Sequence, residues 1–77
     1  MKGETANFYI YLGNEKFVLG DYQGAIADYN QAIRLKPDLA EAYHNRGLIR
    51  QARGEKQEAL ADFHKAAELF QKQVDIV

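Results

Sequence analysis

Apolar residues recur along this chain at three- and four-residue spacing, and glycine or proline interrupts them at regular places. Tyr9, Leu12, Phe17 and Leu19 mark a first helical segment up to Gly20-Asp21, where a glycine stops one helix and an aspartate caps the next. Tyr22, Ala25, Ile26, Tyr29, Ala32 and Ile33 form one apolar stripe on a second helix, which ends at Pro37. Asp38, with Glu41 three residues on, reads as a capping box for a third helix, closed by Arg53-Gly54-Glu55. Ala59, Leu60, Phe63, Ala66, Ala67 and Phe70 run along a fourth. The pattern therefore predicts an all-α fold with helices over about 6–19, 22–36, 39–53 and 56–75, and no strand pattern competes. Thr5 falls in a frayed start. The last helix meets no stop signal and leaves Val74, Ile76 and Val77 as an apolar tail.

The chain also repeats itself. A shift of 34 residues superposes Tyr9 on Tyr43, Gly13 on Gly47, Gly20 on Gly54, Ala25 on Ala59, Tyr29 on Phe63, Ala32 on Ala66 and Leu35 on Leu69. Each copy is one helical hairpin. The small residues remove bulk where antiparallel helices approach closely, and Tyr9, Tyr29, Tyr43 and Phe63 fill the wider gaps between hairpins.

Composition narrows what such a chain does. At 77 residues it forms one domain, 1–77, with a marginal core, and the absence of cysteine removes disulfides, thiolate metal sites and cysteine nucleophiles together. Ten Lys and Arg against eleven Asp and Glu supply no field for nucleic acid or an acidic membrane, so neither is an expected partner. No stretch of about 18 apolar residues occurs, and the expected setting is soluble and cytoplasmic.

Catalytic and metal chemistry find no parts. His44 and His64 lie in different helices without ligand spacing, serine is missing, Thr5 has no histidine beside it, and no glycine-rich nucleotide loop exists. The chain reads as no enzyme, and no cofactor is expected. Asp21, Asp28, Asp38, Asp62 and Glu68 read as cap or outward-facing carboxylates, and Gly24 as a close-packing site within a helix. Arg46, Arg50 and Arg53 fall at i, i+4 and i+7, a face suited to an acidic or phosphorylated partner. Glu55 and Glu58, close in sequence, favour an ion-paired solvated face instead.

These residues resemble the tetratricopeptide repeat family, whose 34-residue pattern runs aromatic, Leu-Gly, Tyr, then Ala, Phe and Pro. The first copy, about 6–39, shows it as Tyr9, Leu12-Gly13, Gly20, Tyr22, Ala25, Tyr29, Ala32 and Pro37. The second, about 40–73, shows Tyr43, Gly47, Gly54, Ala59, Phe63 and Ala66. Lys16 and Arg50 stand where the family usually has a large aromatic, Arg46 where leucine is common, and Gln71 where proline would end the copy.

The resemblance implies a short right-handed solenoid whose first helices line a concave groove for a peptide segment of a protein partner. Carried over by position, the groove residues are Asn7, Ile10, Tyr11, Asn14, Phe17 and Val18, then Glu41, His44, Asn45, Leu48 and Gln51. Amides suit a peptide backbone, and Tyr11, Phe17 and Leu48 offer pockets. Some members clamp a chaperone's C-terminal carboxylate. Here Asn14 and Asn45 occupy clamp positions, Ile10 replaces a lysine and the third repeat is absent, so ordinary groove residues are the preferred reading. The alternative function is self-assembly, because two hairpins leave an apolar face unburied. End-to-end stacking, a domain swap through the 53–56 turn, or membership of a longer array would each cover it.

Overall fold

The computed structural model describes residues 2–74. Four helices follow one another as α1 (Lys2–Val18), α2 (Tyr22–Leu35), α3 (Ala40–Ala52) and α4 (Lys56–Val74), and no strand occurs among the described residues. Helix α1 pairs with α2 and α3 with α4, while α3 joins the two hairpins by lying against both α2 and α1.

Both hairpin turns hinge on glycine. Gly20 and Gly54 adopt φ of +84° and +82° with open space around them, so the left-handed backbone, and not crowding, demands glycine there. Asp21 then caps α2, its Oδ1 accepting the Gly24 N–H at 3.0 Å. A Cβ on Gly24 would lie 2.3 Å from Asp21 Oδ2. The close approach expected at Gly24 is thus to the capping carboxylate and not to a neighbouring helix.

Two boundaries differ from the sequence reading. Helix α1 begins at Lys2 and takes in Thr5, because nothing breaks the helix before Tyr9 and Glu4 in the first turn complements the helix dipole. The Asp38 capping box does not form. The N-cap of α3 is Leu39 and no side chain caps it, which puts Ala42, not Glu41, at the third helical position. Lys36 is extended ahead of Pro37, as the proline ring requires of its predecessor, and α2 ends there. The proposed tail beyond Val74 lies outside the described residues.

The main core lies among α1, α2 and α3. Ala6, Ile10, Ala25, Tyr29, Ala32, Ala42 and Ile49 form its buried cluster, with Tyr9, Phe17, Tyr22, Ile26, Ile33, Leu35 and Leu39 packed around them. Within each hairpin an aromatic ring lies on a glycine. A Cβ on Gly13 would come within 2.7 Å of Tyr29 Cε1, and one on Gly47 within 2.7 Å of Phe63 Cε1. Tyr29 and Phe63 therefore fill space inside the hairpins, not only between them.

Asp28 and Asp62, expected to face outward, are 8 % and 3 % exposed. Each is neutralised from the first helix of its own hairpin. Lys16 Nζ lies 2.9 Å from Asp28 Oδ2, and this ammonium is the partner of an oxygen that accepts no other hydrogen bond among the described residues. Asp62 receives Arg46 Nε at 2.9 Å and Nη2 at 2.7 Å, and Arg50 Nη1 at 3.0 Å. Lys16 and Arg50 are equivalent under the 34-residue shift, as are Asp28 and Asp62, so one buried ion pair occurs twice. Removing one side of such a pair strands a charge, and Asp62→Ala is expected to cost about 3 kcal/mol in urea unfolding. Asp28→Ala should cost less, because Lys16 keeps a 40 % exposed side chain that water can solvate.

Candidate functional site

The first helices of the two hairpins meet at two amides. Asn45 Nδ2 of α3 donates to Asn14 Oδ1 of α1 at 3.0 Å, and the same oxygen accepts the Tyr29 hydroxyl of α2. Three helices are thus tied at one atom. The Asn14 nitrogen and the Asn45 oxygen make no hydrogen bond to another described residue, which leaves amide donors and an amide acceptor at the junction.

Burial sorts the remaining groove candidates. Asn7, Tyr11, Val18, Glu41, His44 and Gln51 are exposed, and Leu48 and Phe17 half-buried. Ile10 is not a groove wall. It is 5 % exposed and belongs to the core cluster. Phe17 turns an edge to Tyr22, with ring centroids 5.9 Å apart, and so closes the α1–α2 hairpin as much as it faces outward. His44 rests on Phe63 at 5.7 Å between centroids. Gln51 lies apart from the amides, on a pocket of about 260 Å³ that it lines with Lys56, Ala59, Leu60 and Phe63.

The arginine face carries its own counter-charges. Arg46 and Arg50 are bound to Asp62, Arg46 Nη1 donates to Asn30 Oδ1 at 2.7 Å, and Arg53 pairs with Glu55 at 3.1 Å. Arg46 also lies over the Tyr43 ring, 5.2 Å from its centroid. An anion would have to displace Asp62 from Arg46 and Arg50, and Glu55 from Arg53, so the three arginines are not an open anion patch. Sequence reasoning named Glu55 and Glu58 as partners and missed Asp62. A signal was present: a basic and an acidic residue recur 12 apart in both copies. It also missed the Tyr29 hydroxyl, which no spacing rule reveals.

Burial pushes the Tyr29 phenol up to about 12, against an opposing contact with the Asn45 amide. The hydrogen bond to Asp28 raises Lys16 as well, with burial opposing it. Among the described residues no group of three His, Cys, Asp or Glu is placed to hold a metal ion, and no helix is long and apolar enough to cross a membrane.

Comparison with known proteins fixes the family. The TPR repeat family model matches residues 13–54, and the tetratricopeptide repeat model matches 40–72. This chain belongs to the tetratricopeptide repeat family. It is 41 % identical over 66 residues to a tetratricopeptide repeat protein 36 homolog of Nematostella vectensis, covering 86 % of this chain and 36 % of that protein. It is 34 % identical over 56 residues to the photosystem I assembly protein Ycf3 of Acaryochloris marina, covering 73 % and 34 %. Among solved structures, the crystal structure of MamA matches with a TM-score of 0.87 at 33 % identity, covering 91 % of this chain and 41 % of MamA. The tetratricopeptide chain thus spans well under half the length of these relatives. Repeats of this family are generally protein–protein interaction modules.

The tetratricopeptide junction has a pH signature. Tyr29 and Lys16 both hold their protons more tightly folded than unfolded, so their stabilisation is complete below about pH 10 and is lost as pH rises towards 12. The urea midpoint should therefore fall over this window. Tyr29→Phe should cost about 1 kcal/mol at neutral pH and flatten the alkaline fall. An unchanged alkaline slope would remove Tyr29 from the account.

Proposed function

We propose that this chain is a protein-interaction module that holds an extended peptide segment of a partner along the face shared by α1 and α3. The observation that carries this reading is the joined pair Asn14 and Asn45. The pair is fixed by Tyr29 and by its own hydrogen bond, and it offers a free amide donor and a free amide acceptor. A peptide unit presents the complementary pair. Asn7, Tyr11 and His44, which are exposed, and Leu48, which is half-buried, belong to the same two helices and would add polar and apolar contacts to the peptide. Preorganisation matters here, because amides already held in place lose little freedom when a peptide binds.

A peptide selected from a displayed random library is the probe, with titration calorimetry as the readout. Asn45→Ala and Leu48→Ala should each weaken the selected peptide by roughly tenfold, the loss of one hot-spot contact. Lys65→Ala, which breaks an exposed pair with Glu68 on α4, should leave binding unchanged. Full affinity in both α3 variants would mean that the peptide sits elsewhere.

A further inference from the structure

The junction between the two hairpins is a template for the chain's own two ends. Under the 34-residue shift, the face that the first hairpin turns towards α3 recurs on the second hairpin, where no described residue covers it. The residues there are apolar and open. Leu60, at the place of Ile26, is 57 % exposed, and Phe63, at the place of the fully buried Tyr29, lines the pocket with Gln51, Lys56 and Ala59. The face that α3 turns towards the first hairpin recurs on α1. There Phe8, at the place of the fully buried Ala42, is 57 % exposed, and Tyr11, at the place of Asn45, is 59 % exposed.

The two ends differ from the inner junction in matching ways. Inside the chain Asn45 donates to Asn14; carried one step outward, these positions hold Tyr11 and Leu48, so both amides give way together to larger, mainly apolar side chains. Inside the chain Tyr22 and Ile49 both belong to the apolar core between the hairpins; carried outward, these positions hold Lys56 and Glu15, two residues of opposite charge. The helix ends agree as well. Helix α1 starts at Lys2, ahead of Ala6, which matches the start of α3, and α4 runs to Val74, past Leu69, which matches the end of α2. Both overruns lie at the same end of their hairpins, and Phe70 and Val74 on the α4 overrun are exposed.

We propose that copies of this chain stack head to tail, the Phe8–Tyr11 end of one seated on the Leu60–Phe63 face of another. Such a contact is heterologous and leaves one face of each kind free, so association continues past a dimer. It extends the α1–α3 face from copy to copy; Tyr11 and Leu48 border both surfaces, whereas Phe8 and Leu60 belong to the stack alone and the Asn14–Asn45 pair lies outside it. The mass of the Phe8 and Leu60 variants and the peptide titration of the Asn45 variant therefore report on the two readings separately.

The test is light scattering up to about 1 mM on the wild-type chain, on Phe8→Glu, on Leu60→Glu, and on their mixture. The average wild-type mass should climb past two chains with concentration. Each variant alone should stay monomeric, because a buried glutamate blocks one face. Mixed, they should form a one-to-one dimer and stop there, since one intact face of each kind remains. Circular dichroism reports whether the variants fold. Should either lose its helices, Lys56→Glu replaces them: it should lower association, and Glu15→Lys added to it should restore it. A wild-type chain that stays monomeric, one that saturates at a dimer, a folded mixture that stays monomeric, or a charge exchange without rescue overturns the proposal.

Discussion

Everything in this molecule depends on an aromatic ring lying directly on bare backbone. At Gly13 the Tyr29 ring comes closer to α1 than any side chain would permit, and at Gly47 the Phe63 ring does the same to α3. These contacts set the separation of the helices within each hairpin. The remaining buried side chains, mostly alanine, fit only at that separation. With the Tyr29 ring seated on Gly13, its hydroxyl donates to the side-chain oxygen of the adjacent Asn14, and Asn45 of the next hairpin donates to the same atom. A packing constraint inside one hairpin thereby positions the amides that join two.

The same geometry brings charges inward. With the helices this close, Lys16 with Asp28, and Arg50 with Asp62, form an ion pair across each hairpin. The second pair is the more deeply buried and has recruited Arg46, whose bidentate grip satisfies both Asp62 oxygens. Such pairs add little net stability over a good apolar contact, but they penalise any register in which one charge is left alone. They hold the hairpins to one alignment, and they occupy cations that would otherwise form an anion-binding face.

Much of this was legible in the sequence. The four helices follow from apolar spacing and from glycine and proline punctuation, because hairpins are local structures and local signals decide them. Gly20, Gly54 and Asp21 did what their residue types predict. Asp38 did not, since the turn after Pro37 closes one residue later than the capping pattern assumes. Asp28 and Asp62 were misplaced for a different reason: an aspartate on a helix is ordinarily solvated, and only the tertiary approach of Lys16 and Arg50 permits its burial. Ile10 was misplaced because a family position does not say how deep the neighbouring helices bury it. The binding role of the α1–α3 face is a matter for the peptide itself, but its central pair, Asn14 and Asn45, was visible from position alone.

The most direct test of the central contact is a double-mutant cycle in urea between Gly13→Ala and Tyr29→Leu. The added methyl should destabilise the chain against the ring and do much less harm once the ring is gone, giving a coupling of about 1 kcal/mol or more. Additive losses, within about 0.5 kcal/mol, would mean that the ring does not rest on Gly13 and that the hairpin is set by something else.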